Sequence, residues 1–600
     1  MTDVREPTED LRLGRRTLDT VESCRIIEDL RWFEHQGVWG LHVRLSPPEL
    51  PSTPWIPAST DWFVTIEPDY PFGKIGFFPA KNGGLTSTFP HQRRNGSGPE
   101  DYPWRSGNIC TDTVLRALHR HGFDEEPRSS QERIRWHVLR AMAWLNAAAR
   151  GELVHDGDFY ELPVYPRSSK VRSIIGFGES RETFQRWQEI PLTAGLVHLV
   201  RHPRNEWLIV ASRFTAFQGE LLLDVPWGAE FSQGKDGEVG IWFRIAEAPV
   251  LLPWQAPATW RELWTAVQSA GTNPGSLLRQ VPKRFRDALQ HTLLIGFPIP
   301  RRFGEPPERM HWLGAVLPPL SRGEETVDGF RGPKGGWVIR DRRVVLDQSQ
   351  LEWIGTENWA EDEISTRGRF STELRSRSIL LIGAGALGSA IAELLMRGGV
   401  YRIKILDQDV LQAGNLVRHS LTLADVGSKG KAKALADWLN QLNPHARVDS
   451  VEGWFPPDNA ESIADVDLVL DCTADDDLLA RLANFSWPEK KDLVSLSLGP
   501  YAKRLYLFAA RGERFPRQIM LERLQPWLLE DREKLREDDL PWESIGCWSP
   551  IFPARVDGIR LFAAIAVKAL DRWAQNPGEP RLQVFETDEE GTSVRQVLNG

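Results

Sequence analysis

The clearest pattern of hydrophobic and polar positions lies between residues 378 and 407. A short apolar run, Ile379 to Ile382, predicts a buried parallel strand, and the apolar segment from Ala386 to Met396 predicts a helix that ends at a Gly-Gly pair. A second strand, Tyr401 to Leu406, follows and ends at Asp407. Strand, turn, helix and strand in this order predict an α/β domain with a parallel sheet.

The N-terminal part has a different pattern. Two strand-like runs, Trp62–Ile66 and Ile75–Phe78, flank an Asp-Tyr-Pro turn. A helix is predicted over residues 129–153, where Ser129 and Glu132 have capping-box spacing. The apolar face of this helix comprises Ile134, Val138, Met142 and Leu145. Strands followed by a helix predict an α+β domain.

The middle of the chain, about 165–360, carries fewer signals. Residues 195–214 predict a β-hairpin that turns at residues 203–205. We interpret three tryptophans here as core residues, namely Trp207, Trp227 and Trp242. His198 and His202 lack metal-ligand spacing, so we expect no special role for either. This segment is interpreted as a linker domain that sets the distance between the two outer domains.

Composition limits the class of protein. The 600 residues are 41% hydrophobic and 26% charged, as in ordinary globular proteins of several domains. No apolar run approaches the roughly 20 residues of a membrane span, and the charged N-terminus has no apolar stretch behind it, so we expect a cytoplasmic protein without membrane contact. A net charge of −9 disfavours a broad nucleic-acid-binding surface and leaves open a local basic patch, and we expect no nucleic-acid partner. Four scattered cysteines fit a reducing compartment and exclude a zinc site made of Cys-x-x-Cys pairs.

Three glycines at the junction of the first strand and the helix indicate a nucleotide. Gly383, Gly385 and Gly388 have G-x-G-x-x-G spacing, and Asp407 follows at about the separation that is usual for a ribose-binding acid. Glycines let the backbone approach a phosphate, the helix N-terminus stabilises the anion, and the carboxylate accepts from a ribose hydroxyl. On this motif alone, NAD or FAD would be the expected ligand.

The residues that follow favour ATP instead. The stretches DQDVLQAGNLVRH (407–419), VGSKGKAKALADWLNQLNP (426–444) and VDLVLDCTADDD (466–477) resemble, in the same order, segments of ubiquitin-activating enzymes and of the bacterial ThiF/MoeB adenylyltransferases. The matching positions are Asp407, Asp409, Asn415, Leu416, Arg418, Gly427 and Lys431. The resemblance implies a Rossmann-like adenylation domain that uses ATP and Mg²⁺.

The resemblance also implies roles for particular side chains. Arg418, Asn415 and Lys431 would neutralise the charge that adenylation places on the phosphates. Asp475 is the candidate magnesium ligand. Here the chain departs from the family, in which the acid directly follows the threonine, because Ala474 occupies that place.

Two cysteines belong to this C-terminal region. Cys472 ends a predicted buried strand and is interpreted as a structural residue. Cys547 lies in a loop rich in glycine and proline, ESIGCWSPIFPARVDG (543–558), where a thiol meets solvent. In ubiquitin-activating enzymes a cysteine in this region takes the activated carboxylate as a thioester, so we predict Cys547 as the nucleophile.

A third cysteine lies in the N-terminal domain. The sequences YPF at 70–72 and GNIC at 107–110 resemble a ubiquitin-conjugating enzyme, which implies that Cys110 carries an acyl group. The family's His-Pro-Asn motif is missing, and YPW at 102–104 places Trp104 near the position of its asparagine. Asn108 offers a substitute on chemistry alone.

Together the two halves resemble the ubiquitin-activating/ubiquitin-conjugating fusion of bacterial CBASS antiphage operons. This resemblance implies a ubiquitin-conjugating-enzyme-like α+β domain (1–163), a linker domain (164–360) and a ThiF/ubiquitin-activating-enzyme-like adenylation domain (361–600). It implies that the substrate is the C-terminal tail of a cGAS/DncV-like nucleotidyltransferase, that a target protein supplies the lysine, and that the adenylation domain forms a homodimer.

Three other functions stay open. The chain could activate a sulfur-carrier protein, as ThiF and MoeB do, with the N-terminal part accessory. It could be a nucleotide-binding scaffold without catalysis. An NAD oxidoreductase ranks third, because no part of the sequence resembles a hydride-transfer site.

Overall fold

The computed structural model describes residues 5–599 except 49, 114–117, 119, 121–122, 124, 233, 235, 321–340, 342–348, 428, 537, 539 and 543–549. No described helix is long and apolar enough to cross a membrane.

The N-terminal unit is an antiparallel sheet with helices on one face. Its strands, which pair in sequence order, are β1 (Cys24–Phe33), β2 (Val38–Leu45), β3 (Thr60–Ile66) and β4 (Ile75–Pro79). Helices α1 (Glu9–Thr17) and α2 (Arg133–Arg150) share one hydrophobic core with this sheet. The opposite face carries a small aromatic cluster around Phe63 and Trp104.

The strands and helix predicted for this unit are confirmed. Both predicted strands lie within β3 and β4, and the four apolar positions of the predicted helix are all buried in α2. The helix begins at Arg133 rather than at residue 129. The Ser129 hydroxyl does accept from the Glu132 amide (3.2 Å), but this contact closes a turn that precedes the helix.

The central unit is a ring of strands. Its strands are β5 (Ile174–Phe177), β6 (Ala194–Arg201), β7 (Leu208–Thr215), β8 (Leu221–Asp224), β9 (Asp236–Arg244), β10 (His291–Ile299), β11 (Arg309–Leu317) and β12 (Trp353–Asn358). Its helices are α3 (Arg181–Glu189), α4 (Ala229–Ser232), α5 (Trp260–Ser269) and α6 (Pro274–Gln280). The strand order β5-β12-β11-β10-β9-β6-β7 is closed by a β5–β7 pairing, and β8 extends it at β7.

The predicted hairpin of this unit is confirmed as β6 and β7, which pair antiparallel. Trp227 and Trp242 are buried as predicted. The prediction that Trp207 is a core residue is wrong, because its side chain is 43% exposed. It precedes β7 at the hairpin turn, and the guanidinium of Arg172 lies over its ring at 5.7 Å from the centroid.

The C-terminal unit is a mixed sheet flanked by helices. Its strands are β13 (Ser378–Ile382), β14 (Arg402–Leu406), β15 (Arg447–Val451), β16 (Leu468–Asp471), β17 (Lys491–Leu498), β18 (Arg504–Gly512), β19 (Arg581–Thr587) and β20 (Val594–Asn599). Its helices are α7 (Glu361–Ile364), α8 (Thr372–Arg375), α9 (Ala386–Arg397), α10 (Lys431–Asn440), α11 (Asp476–Asn484), α12 (Arg517–Lys534) and α13 (Val556–Gln575).

The strand order in this sheet is β15-β14-β13-β16-β17-β18-β19-β20. The first five strands are parallel, and the last three pair antiparallel. The predicted strand–helix–strand unit is confirmed as β13, α9 and β14, each within one residue of its predicted bounds. The carboxyl ends of β13, β14 and β16 therefore meet at one edge of the sheet.

The three units are joined by backbone contacts. After α2, the amide of Tyr160 donates to the carbonyl of Arg301 (3.1 Å), which fixes this segment to the central ring. The amides of Gly228 and Ala229 donate to carbonyls at Pro444 (2.7 Å) and Ala446 (2.8 Å) and so tie the ring to the C-terminal unit.

The interior of the central ring contains a buried carboxyl group. Glu179 is only 2% exposed, and its Oε1 accepts from the indole N–H groups of Trp187 (2.9 Å) and Trp312 (2.8 Å). The hydroxyl of Thr183 donates to Oε2 at 2.5 Å. Burial raises the pKa of Glu179 to about 7, although the three hydrogen bonds favour the charged form. The fold therefore prefers the neutral acid.

We predict that Glu179→Gln stabilises the central unit at alkaline pH. Between the ordinary pKa of 4.5 and about 7 the folded state binds more protons than the unfolded state, so the free energy of unfolding of the parent falls as pH rises through this window. Glutamine keeps the acceptor oxygen without the charge. Denaturant unfolding should show a gain of about 2–3 kcal/mol at pH 8.

The same variant should show little change at pH 4, where the parent carboxyl is already protonated. Glu182→Gln, which alters an exposed carboxylate on the same helix, is the control and should change neither value. A Glu179→Gln protein that is less stable than the parent at pH 8 would contradict this account.

Candidate functional sites

The glycine-rich turn between β13 and α9 is built by close packing. Gly383 has a φ of +94°, which favours glycine, and a Cβ at Gly388 would lie 2.0 Å from the carbonyl oxygen of Gly383. Gly385 differs, because a Cβ there would meet no atom within 4 Å. The fold thus requires Gly388 for helix packing, whereas Gly385 leaves open space in front of the helix.

A cavity of about 330 Å³ occupies this space at the N-terminus of α9. Four of the predicted site residues line it, namely Gly385, Asn415, Arg418 and Lys431. Unsatisfied N–H groups and the positive end of the helix dipole favour an anion at such a place. The cavity therefore combines a helix N-terminus with two cationic side chains.

The two cations are held in different ways. Lys431 is 9% exposed, and its ammonium lies 2.9 Å from a carboxylate oxygen of Asp409. Arg418 donates to the carbonyl of Phe552 at 2.8 Å, a neutral acceptor that leaves its positive charge uncompensated there. The cavity consequently keeps positive charge that an anionic ligand could neutralise.

A smaller cavity of about 140 Å³ lies on the other side of the glycine turn. Gly383, Asp407, Asp409 and Asp475 line it, and Thr473 lines both cavities. The structure therefore brings the predicted residues together in two adjoining spaces, with Gly388 packed behind them.

Asp407 has a largely satisfied carboxylate. Its oxygens accept from the amides of Ala384 (2.7 Å) and Asp409 (2.8 Å). Burial raises the pKa of Asp407 against the effect of these hydrogen bonds. The side chain thus fixes the glycine turn, and its remaining lone pairs face the smaller cavity.

Asp475 caps a helix. Its Oδ1 accepts from the amide of Asp477 (2.8 Å) at the start of α11, and within the described chain Oδ2 has no hydrogen-bond partner. Ala474, which replaces the family's acid, has a φ of +56°. Mg²⁺ is commonly held by one or two carboxylates and by phosphate oxygens, so a single exposed carboxylate fits a metal that a nucleotide brings with it.

Cys110 lies on the N-terminal sheet in the loop between β4 and α2, and its side chain is exposed. Its amide donates to the carbonyl of His91 at 3.0 Å. The side-chain oxygen of Asn108 accepts from the amide of Phe77 at 2.8 Å, so Asn108 serves to hold the loop against β4.

Trp104, which falls near the position of the family's asparagine in the sequence, packs against the N-terminal sheet. Trp104 is 5% exposed and packs edge-on against Phe33, with ring centroids 4.7 Å apart. It also contacts Phe63, at 5.4 Å, on the sheet face opposite α2. Its ring is therefore part of the sheet packing, and His91 is the residue that lies across from Cys110.

Residues 358–508 match the ThiF family, and residues 151–359 match a family described as the Cap2 central linker domain. A protein of Enterobacter hormaechei subsp. hoffmannii named ATP-dependent ubiquitin transferase-like protein Cap2 is 34% identical over 536 residues, which cover 88% of each chain. This chain belongs to the Cap2 family.

Two more distant similarities are shorter. The Candida glabrata protein named adenylyltransferase and sulfurtransferase UBA4 is 38% identical over 102 residues, which is 17% of this chain and 23% of that one. A crystal structure of E. coli MccB with AMPCPP and MccA covers 38% of this chain and 64% of its own, at 13% identity and a TM-score of 0.28.

One buried hydrogen-bond network in this Cap2-family chain was not predicted from the sequence. Thr111 and His137 are in hydrogen-bond contact (Oγ1 to Nδ1, 2.8 Å), and His137 Nε2 lies 2.9 Å from Glu126. Arg133 donates to Glu126 at 2.6 Å, and Arg140 donates to the carbonyl of Thr111 at 2.6 Å. Their spacing, 133, 137 and 140, is the signal that could have shown a polar stripe on α2.

The network has a defined protonation state. Despite burial, the contacts with His137 and Arg133 hold the pKa of Glu126 at about 2, so Glu126 only accepts. Burial lowers the pKa of His137. A neutral His137 therefore donates from Nε2 to Glu126 and accepts from the hydroxyl of Thr111, which fixes the chain directly after Cys110 to α2.

The structure describes Cys472 but not Cys547. Cys472 follows β16 and is half-buried at the wall of the larger cavity, and burial raises the pKa of its thiol well above the usual value. Cys547 lies outside the described residues. The ends of the stretch that holds it meet, because Trp542 and Pro550 form a bridge.

The glycine geometry predicts a contrast between two variants. Gly388→Ala should lower the free energy of unfolding of the C-terminal unit by about 3 kcal/mol or more, since the new methyl group would overlap a backbone oxygen that cannot move aside. Gly385→Ala should leave it almost unchanged because its Cβ meets open space. Thermal unfolding of both proteins measures the contrast, and equal destabilisation would contradict it.

Proposed function

We propose that this Cap2-family protein is an ATP-dependent protein-conjugating enzyme. It adenylates the C-terminal glycine of a partner protein, carries the acyl group as a thioester on Cys547 and then on Cys110, and transfers it to a lysine. The observation that carries the proposal is the positively charged cavity at the start of α9, within a ThiF-family segment, on the same chain as an exposed thiol in the N-terminal unit.

In the first step, the glycine carboxylate attacks the α-phosphate of ATP and pyrophosphate leaves. Lys431, Arg418 and the first N–H groups of α9 stabilise the negative charge that develops on the phosphates. Asn415 donates to the same oxygens, and Asp407 binds the ribose. Asp475 would hold Mg²⁺, which neutralises phosphate charge when it is bound.

In the second step, the thiolate of Cys547 attacks the acyl carbon and AMP leaves. Phe552, which lies five residues after Cys547, lines the cavity and accepts from Arg418. Five residues of extended chain span at most about 17 Å, which limits the length of chain between this thiol and the cavity wall. This short connection supports Cys547 as the acceptor of the activated carboxylate.

In the later steps the acyl group passes by thiol exchange to Cys110 and then to a lysine amine. A four-stranded antiparallel sheet backed by α2, with Cys110 in the loop between them, supports a ubiquitin-conjugating-enzyme-like role for this unit. Because both thiols are on one chain, the exchange proceeds at a high effective concentration.

Family membership supports a specific setting for this reaction. The substrate would be the C-terminal tail of a cGAS/DncV-like nucleotidyltransferase, joined to a target lysine in antiviral defence, with two copies of the chain associating through the adenylation domain. These assignments follow the resemblance to the CBASS fusion enzymes.

Activation of a sulfur carrier is the second candidate, because a short stretch resembles the UBA4 proteins. Mass spectrometry of the partner after reaction discriminates, since a thiocarboxylate would support sulfur transfer and an isopeptide-linked product would support conjugation.

The first test concerns adenylation. Lys431→Ala should lower ATP–pyrophosphate exchange with the partner protein by about 10²–10³-fold, because one of two cations facing the phosphates is lost. Lys429→Ala is the matched control, since Lys429 is exposed and paired with Asp437. Gly385→Ala should fold and yet bind ATP weakly. Exchange at the parental rate in Lys431→Ala would remove Lys431 from the mechanism.

The second test concerns the thiols. Cys110→Ala should stop conjugation to lysine while a reductant-sensitive thioester still accumulates on Cys547. Cys547→Ala should leave adenylate formation intact and block both later steps, whereas Cys472→Ala should have little effect. Normal conjugation without Cys110 would show that the N-terminal unit is a scaffold, and loss of transfer in Cys472→Ala alone would show that Cys547 is the wrong thiol.

A further inference from the structure

Cys110 and His91 face each other across a short antiparallel pairing. Gln92 and Ile109 form a bridge, and two hydrogen bonds flank it, from Cys110 N to His91 O (3.0 Å) and from Arg93 N to Asn108 O (2.9 Å). This pattern places His91 directly opposite Cys110. Opposed residues in such pairings have Cα atoms about 4.5–5.5 Å apart, which is within reach of an imidazole and a thiol.

Burial separates the two sides of this pairing. Gln92 (8%) and Ile109 (2%) are buried in the N-terminal unit, whereas Cys110 is exposed and the His91 side chain is 51% exposed. His91 also has a φ of +57°, a backbone conformation that residues with side chains adopt infrequently and that gathers at functional sites. The imidazole therefore shares the solvent-facing side of the loop with the thiol.

A carboxylate faces the imidazole. Glu161 Oε2 lies 3.5 Å from His91 Nδ1. The adjacent Tyr160 is hydrogen-bonded through its amide to Arg301, so the carboxylate comes from the segment that is fixed to the central ring. An acidic group beside Nδ1 favours the tautomer with the proton on Nδ1 and leaves Nε2 free to accept a proton.

Several described polar groups near Cys110 are engaged elsewhere. Asn108 accepts from the amide of Phe77, and Arg140 donates to the carbonyls of Thr111 and Asp112. His137 is buried between its two partners in the network on α2. The carboxylate of Asp112 is exposed, and an anionic carboxylate is a weaker base than an imidazole.

We propose that His91, oriented by Glu161, is a catalytic residue of the transfer from Cys110 to lysine and accepts the proton of the attacking amine. The proposal rests on the proposed function of Cys110 as an acyl carrier.

The atoms balance within this group of residues. The neutral amine attacks the thioester carbonyl, and a C–N bond forms. The nitrogen then gives one proton to His91 Nε2, the C–S bond breaks, and the amide leaves with Cys110 as the thiolate. The imidazolium returns its proton to that thiolate or to water, so no further reactant is needed.

The test begins from full-length protein with Cys547→Ala, acylated by the benzoylglycyl thioester of mercaptoethanesulfonate, a small mimic of an activated C-terminal glycine. Intact mass and peptide mapping measure the acyl group on Cys110. Its discharge is then followed with L-lysine and, separately, with hydroxylamine, which is neutral near pH 7 and strongly nucleophilic and needs little help from a base.

His91→Gly is the informative variant because glycine accepts a positive φ. We expect discharge to lysine to slow by about 10²-fold, while discharge to hydroxylamine stays within about twofold of the parent. Glu161→Gln should slow the lysine reaction by a smaller factor. His155→Gln is the matched control, since His155 is an exposed histidine 3.6 Å from Asp158, and it should change neither rate.

Three results would overturn the proposal. An unchanged lysine rate in His91→Gly would remove the catalytic role, and equal loss of both rates would show that His91 only maintains the loop. A loss of lysine discharge in Asp112→Asn that is absent in His91→Gly would assign the base to Asp112. Failure of Cys110 in the parent to take the acyl group would instead contradict its role as a carrier, which is a separate and recognisable outcome.

Discussion

The contact between Gly388 and the carbonyl of Gly383 determines the geometry of the C-terminal site. With no side chain between them, α9 begins directly against the turn that leaves β13, and its free N–H groups point into the larger cavity. The side chains that come from other elements, Arg418 and Lys431, line the same cavity as this helix N-terminus. Parallel strands whose carboxyl ends meet at one edge make this arrangement available.

The glycine turn of the C-terminal site could be predicted from sequence because its signals are local, whereas Arg418, Lys431 and Asp475 were predicted from a family resemblance. The strand, glycine turn, helix and second strand follow one another within 30 residues, and each element has its own periodicity or end signal. The strands and helix of the N-terminal unit were predictable for the same reason. The closed central ring could not be predicted from sequence. It is closed by the pairing of β5 with β7, and no local sequence pattern indicates that these two strands pair.

The parts that sequence reasoning missed depend on contacts between distant residues. Trp104 precedes Cys110 by only a few residues, yet its ring packs into the sheet, and the residue opposite the thiol is His91. Glu161 reaches His91 from beyond α2. Such pairs arise from the way strands and loops pack in the folded chain, and the spacing of residues along the sequence does not predict them. The prediction that Trp207 is a core residue failed for a simpler reason. A large apolar ring at a hairpin turn can be covered by an arginine side chain instead of being buried in a core.

Under the proposed chemistry, the position of Glu161 gives the central unit a role beyond that of a spacer. A spacer need only hold two catalytic units at a workable distance, and its own residues would not contact either reaction centre. Here the segment that pairs with Arg301 of the ring also brings a carboxylate to within 3.5 Å of the imidazole opposite Cys110. Under the proposed chemistry, the lysine-transfer site is therefore complete only when the central ring is folded. Discharge of the thioester therefore depends on the central unit as well as on the N-terminal unit, and an N-terminal unit cut free after α2 would keep its thiol but lose the group that orients its base.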